Sequence, residues 1–331
     1  MQAKVMDMKI RFSKLNENSQ FQNEKKKAIT KSKKIMFSLV RFLILLGISF
    51  VILGPLITIV SHSFFSSTDV YNPSAYLIPL KGTLENYSLV FKRLSYVKTL
   101  SSTMIYVITL MGLQILICSM VGYGFARFDF PLKKLLFACV IITIVIPTHT
   151  IMLPLYMEFR NFDVFGLKEL FTGSAVNLLT TKKPMYILTL FGCGLRSGLY
   201  IYIFNQFFRG LPKEIEEAAF IDGAGSFYTY LRIMLVNAKP AVITVAVFSL
   251  VWQYNDMFYC KLFSLNAKSL MSLSVSTVQA TIEFVDKVKD PMISQLYLNA
   301  GIVLTIIPIL VVYVVLQRYF IEGVERSGIV G

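Results

Sequence analysis

The sequence predicts an all-α integral membrane protein with six transmembrane helices, and three observations carry that prediction. The 331 residues are 55% hydrophobic, with mean hydropathy +0.62, whereas soluble domains run to roughly 45–50% apolar. The apolar residues fall in long blocks instead of amphipathic stripes. The basic residues gather ahead of the first block, as expected beside a membrane.

Crossing a hydrocarbon core about 30 Å thick takes about 20 mostly apolar residues. Six blocks meet that need, at 35–60, 100–123, 135–154, 184–208, 238–260 and 296–317. The second, from Leu100 to Tyr123, and the sixth, from Leu296 to Leu316, contain no charged residue. A net charge of +14 would suit a nucleic-acid binder, but its distribution argues against one. Ten of the 33 Lys and Arg lie in residues 1–34, beside only Asp7, Glu17 and Glu24. The positive-inside bias therefore puts the N-terminus in the cytoplasm, and six spans put the C-terminus there too.

Residues 1–34 read as a basic, disordered cytoplasmic tail drawn to anionic lipid headgroups. The transmembrane body is expected over 35–320, and a short cytoplasmic tail over 321–331. The first span is too long for a signal-peptide core and has no small-residue cleavage site, so it is expected to be retained. Cys118, Cys139, Cys193 and Cys260 are scattered and have no metal-ligand spacing. His62 and His149 lack neighbouring ligands and read as solvated or interfacial residues. No phosphate-binding loop, dinucleotide fingerprint, nucleophile elbow or zinc-protease motif occurs. Neither catalysis nor a cofactor is expected of this chain, and its energy must come from elsewhere.

The segment 209–239, between the fourth and fifth blocks, is the most informative. Pro212 suits a first helical position, and Glu214, Glu216 and Glu217 complement a helix N-terminus. Gly223 can take the left-handed conformation that ends a helix, and Ser226 is placed to cap the next one. A helix of about ten residues is marginal alone, so it must dock against something. Ile215, Ala218, Ala219 and Asp222 share one face at i, i+3, i+4, i+7 spacing. Glu214 and Glu217 project elsewhere. Either a partner protein or the chain's own transmembrane bundle would satisfy that face.

Glu217-Ala218-Ala219, then Gly223 and Ile233-x-Leu235, resembles the EAA loop of binding-protein-dependent ABC importer permeases. Glu-Ala-Ala-x-x-Asp-Gly-Ala, here Glu217 to Ala224, is a specific arrangement. The family commonly has proline directly after Ile-x-Leu; here that position is Val236, and Pro240 follows four residues later. Gly122 to Phe128 with Pro131, Ile146-Pro147 with Leu153 to Tyr156, Trp252 to Asp256, and Gln317 to Gly323 are similar to elements of its maltose-type sugar permease subgroup. The resemblance implies a type I ABC importer permease fold in a bacterial cell membrane. It implies a second homologous permease, a cytoplasmic ATPase dimer and an extracytoplasmic solute-binding protein as partners. It also implies ATPase coupling through Glu214, Glu217, Ala218, Ala219, Asp222, Gly223 and Ala224, and a sugar as cargo, with an oligosaccharide favoured.

Two polar features lie within the blocks. Arg196 is 13 residues before Arg209, about 20 Å along a helix. It either faces a transport path or snorkels to the outer headgroups. Asn255-Asp256 either lines an external gate or is the wet end of the fifth span, among the interfacial aromatics Trp252, Tyr254, Phe258 and Tyr259. A self-contained secondary transporter or channel is the alternative function, although no internal repeat supports it.

Overall fold

A computed structural model of the chain describes residues 2–163, 175–266 and 269–328, with side-chain environments given from Lys31 to Val315 within those limits. The described residues are helical apart from turns and one isolated antiparallel bridge between Phe162 and Val176. Thirteen helices are labelled here. They are α1 (Gln2–His62), α2 (Glu85–Arg93), α3 (Tyr96–Arg127), α4 (Lys133–Val145), α5 (Met152–Arg160), α6 (Lys183–Leu190) and α7 (Ser197–Gly210). Then come α8 (Glu214–Ile221), α9 (Ser226–Asn237, with a π-helical stretch over Thr229–Met234), α10 (Lys239–Asn255), α11 (Phe258–Leu262), α12 (Met271–Val285) and α13 (Pro291–Gly328).

Two compact units result, residues 1–61 and 62–331. In the first, α1 runs unbroken from Gln2 through the first apolar block. The disordered tail expected over 1–34 is thus helical. No proline or glycine occurs before Gly47, so nothing in the tail interrupts a helix once the following span nucleates it. At the other end α13 carries the last block on to Gly328, so the separate tail expected over 321–331 is helical that far. Residues 329–331 lie outside the described residues.

All six apolar blocks are helical, but they do not make six plain rods. Lys31–His62, Tyr96–Arg127 and Pro291–Val315 are each long and apolar enough to cross a membrane alone. The third block bends by 103° between Lys133–Val145 and Thr148–Arg160. Pro147 cannot donate the backbone bond that would continue α4. The fourth block divides into α6 and α7, and the fifth ends at Asn255 with α11 beyond it. Ser226–Asn237 meets Lys239–Asn255 at 78°, which puts the bend into the fifth span at Ala238, with Pro240 in the first turn of α10.

The second unit is built around α3. Its buried residues Thr99, Thr103, Tyr106, Leu110, Gln114, Cys118 and Gly122 recur every three or four positions and form one stripe, which packs along α7 and α10. Glycine sets how closely the helices approach. A Cβ on Gly122 would stand 2.7 Å from Phe204 Cβ and 3.0 Å from Asn205 N, and one on Gly198 would stand 3.0 Å from Val140 O.

Backbone groups freed at breaks inside the bilayer need protein partners. Pro308 inside α13 leaves the Leu304 carbonyl without its usual donor, and Tyr96 OH donates to that carbonyl at 2.9 Å. Tyr254 OH donates to the next carbonyl, Thr305 O, at 2.7 Å. At the α6–α7 break, fully buried Gln114 donates to Leu195 O at 2.6 Å and accepts from Ser249 Oγ at 2.5 Å.

Short polar contacts fix the other connections. Arg93 pairs with Asp286, and Tyr71 OH donates to Asp290, which ties the segment around α2 to the α12–α13 connection. The Tyr71 hydroxyl and the Met292 N–H hold the Asp290 carboxyl below the usual aspartate range. His62 contacts Tyr76 O at 3.0 Å, and exposed His149 packs its ring on Phe258 at 4.8 Å.

Gly122→Val should force α3 from α7 and destabilise the protein by about 1–3 kcal/mol, read as a lower melting temperature in detergent. Gly124→Ala, where nothing lies within 4 Å of the added Cβ, should leave it unchanged.

Candidate functional site

The 209–239 segment folds as a short helix pinned on one side and open on the other. α8 starts at Glu214 with Lys213 as its N-cap, so Pro212 lies just ahead of the cap and not in the first helical position. Glu216 N and Glu217 N donate to Lys213 O at 2.9 and 3.0 Å. The C-terminal end matches expectation. Gly223 has φ +80°, its N–H donates to Phe220 O at 3.0 Å, and Ala224 N donates to Ala219 O at 3.0 Å. That pair of bonds is a Schellman closure. Gly225, not Ser226, caps the next helix: its backbone is extended and its carbonyl accepts from Thr229 N at 2.9 Å.

The face expected from periodicity is divided. Glu216 and Ala219 are buried and Ile215 is half-buried, whereas Ala218 and Asp222 are exposed with Glu214, Glu217 and Gly223; Ala224 is half-buried. Phe220 and Ile221 add apolar surface outside, Ile221 being 86% exposed. The inward side is centred on a carboxylate, which an apolar-face rule cannot find. Glu216 Oε2 lies 3.2 Å from Arg127 Nε, with both side chains nearly buried. Tyr123 OH donates to Glu216 Oε1, and Arg127 Nη2 donates to Leu211 O at 2.8 Å. The Tyr123 ring packs on Phe208 of α7 and Tyr230 of α9, at 5.4 and 5.2 Å. Tyr230 OH and Ser119 Oγ are 2.6 Å apart. The C-terminal end of α3 thus holds α7, α8 and α9 together.

Arg127 and Glu216 are 89 positions apart, so no local spacing links them. The available signal was a run of three glutamates on an eight-residue helix and an arginine four residues past the second block.

The polar residues of the spans are arranged differently from expectation. Arg196 is not inside a continuous helix. It is the exposed residue capping α7, with φ +60°, and its guanidinium lies 3.9 Å from the Trp252 ring centroid. The break forms because α6 closes at Gly192, φ +72°, with Cys193 N donating to Leu188 O at 2.8 Å and Gly192 N to Thr189 O at 3.1 Å. Asn255 and Asp256 part company. Asn255 is exposed and donates to Val251 O at 2.9 Å, whereas Asp256 is buried and accepts from Tyr259 N at 3.2 Å. Among the described residues no His, Cys, Asp and Glu cluster could hold a metal ion.

Residues 114–326 match the family described as binding-protein-dependent transport system inner membrane component. The chain belongs to that family. The match starts at Gln114 and takes in the α6–α7 break, α8 and most of α13 of this permease. It is 28% identical over 287 residues to the arabinooligosaccharides transport system permease protein AraQ of Halalkalibacterium halodurans, spanning 86% of this chain and 93% of that one. It is 27% identical over 297 residues to the diacetylchitobiose uptake system permease protein NgcG of Streptomyces coelicolor, covering 88% of each. Its fold is similar to a chain of a bacterial ABC transporter that imports the acidic polysaccharide alginate, with TM-score 0.67, 22% identity, and 86% and 96% of the two chains covered. This permease is a multi-pass membrane protein, and membership in a binding-protein-dependent system displaces the self-contained transporter.

Gly223→Ala should loosen the α8 end by about 1 kcal/mol, because a Cβ is unfavourable at positive φ. That is about fivefold faster amide exchange at Gly223 and Ala224. Gly223→Asn should show a smaller effect.

Proposed function

We propose that this permease forms half of the translocation path of an ATP-driven sugar importer, coupled to a cytoplasmic ATPase through α8. The observation that carries the reading is the two-sidedness of α8, a helix anchored from beneath with Glu214, Glu217, Ala218, Ile221 and Asp222 exposed. A helix of eight residues has little stability of its own, so the anchor gives a partner a formed surface. Exposed Ala218 keeps part of that surface low, and a Schellman turn ends it firmly. ATP binding and hydrolysis fall to the ATPase dimer, and α8 conveys its closure to the bundle.

A second, homologous permease completes the path, and an extracytoplasmic binding protein delivers the cargo. Among the described residues α4 has no buried residue, which suits contact with lipid or that second permease. Both termini are cytoplasmic. The arabino-oligosaccharide and diacetylchitobiose systems of the relatives favour an oligosaccharide. Arg196, beside Trp252, and Asn255-Asp256 are the proposed path residues, with Asp256 acting by shaping the turn after α10.

Glu217→Lys should lower ATPase co-purification or abolish uptake while the protein still reaches the membrane, and Gly223→Pro should do the same. Reconstituted uptake of arabinotriose, diacetylchitobiose and maltotriose with the cognate binding protein tests the substrate class. Wild-type transport by either variant defeats the docking assignment, and uptake of none of the three defeats the oligosaccharide reading. Arg196→Ala should weaken uptake at least severalfold; an unchanged rate and affinity removes it from the path.

A further inference from the structure

We infer that Arg127, Tyr123 and Glu216 form a latch that makes α8 and the end of α3 one rigid body, so that α3 is the element through which ATPase motion enters the membrane. This rests on the coupling role proposed for α8 and specifies what lies behind it. The expected coupling residues all belong to the stretch Glu214 to Ala224, and none of the three latch residues is among them.

The argument is one of geometry and burial. α8 joins its neighbours through short connections, Leu211 to Lys213 on one side and Asp222 to Gly225 on the other. Connections of that kind would let an eight-residue helix swing. The latch opposes swinging in three directions. Arg127 Nε meets Glu216 Oε2 at 3.2 Å, Arg127 Nη2 takes Leu211 O at 2.8 Å, and Tyr123 OH donates to Glu216 Oε1. One arginine therefore holds both the helix and the connection that leads into it. Its Nη2 hydrogen-bonds the connection while the delocalised charge faces the carboxylate, a division that the point charge of a lysine ammonium matches less well. Burial makes the pair expensive to open, because either charge left alone has no water to solvate it. The latch also sits on a long rod free of proline: α3 spans 32 residues and carries Gln114, three turns away, whose amide holds the α6–α7 break. A push on α8 is thus delivered to α3 without being absorbed at its base, and α3 passes it toward the break.

Glu216, Arg127 and Tyr123 act here as positioning residues. The test uses the assembled transporter, with the exposed Cys139 and Cys193 replaced by serine and spin labels at Lys213 and Asp129, both exposed. In the unaltered latch the distance between labels should be narrow and the same with and without Mg-ATP and vanadate. Glu216→Gln and Arg127→Met should broaden it. In proteoliposomes they should keep ATP hydrolysis and ATPase co-purification but lose at least tenfold in sugar accumulated per ATP, using whichever of the three panel sugars the unaltered transporter takes up. Tyr123→Phe keeps the ring packing and removes one hydroxyl, so it carries the test if the other variants fail to assemble; it should lose about fivefold in the same ratio. Arg127→Lys, which keeps the charge, should fall between Arg127→Met and the unaltered protein.

A narrow distance that shifts with vanadate in the unaltered transporter overturns the rigid body. An unchanged sugar-to-ATP ratio in Tyr123→Phe or Glu216→Gln overturns the coupling role. Failure of the docking proposal shows separately, as ATPase that co-purifies undiminished with Glu217→Lys and still drives uptake.

Discussion

A carbonyl released from its helix inside a hydrocarbon layer has no water to bond, and this constraint governs the fold. The chain interrupts its helices repeatedly, at Pro147, at 191–196, at Ala238 and inside α13 at Pro308. Long polar side chains from neighbouring helices repair the breaks for which a bond is described: Tyr96 and Tyr254 on the carbonyls near Pro308, and Gln114 on Leu195 O. Each repair also fastens one helix to another. The bundle is held by its irregularities as much as by its apolar surface, and α3 supplies the hub because its buried stripe includes Gln114, Ser119 and Tyr123.

Much of this was legible in the sequence. Six apolar blocks gave the class, and the Glu217-Ala218-Ala219 stretch with Gly223 marked a short, punctuated helix with a left-handed end. Hydropathy could not reveal that the blocks at 135–154 and 184–208 break, since it averages over the residues that matter. Pro147 and the Gly192–Gly194 pair were the visible signals. Periodicity misjudged α8 because it assigns small and apolar residues to the packed side. There the packed side is centred on Glu216, whose cost of burial is offset by Arg127 far away in sequence. The N-terminal 34 residues were misread for a related reason. Low hydrophobicity argues against a packed core, but a lysine- and glutamine-rich stretch free of proline and glycine can still continue a helix that starts in the membrane.

The positions chosen from the sequence divide by role once the fold is known. Glu214, Glu217, Ala218 and Asp222 present outward, whereas Ala219, Gly223 and Ala224 shape and close the helix beneath them. Arg196 and Asn255 are exposed, while Asp256 is turned into the protein to hold the start of α11. A loop motif therefore contains two layers of chemistry, one facing outward and one facing the bundle. A motif string does not separate them.

Trp252 is the chain's single tryptophan, and it lies against Arg196 at the head of α7. The indole belongs to α10 and the guanidinium to the broken fourth block, so the contact bridges two elements whose interruptions differ in origin. Indole emission responds to an adjoining cation, which gives the permease a native optical reporter at that junction. Any rearrangement parting α10 from the head of α7 would change the colour or yield of that emission.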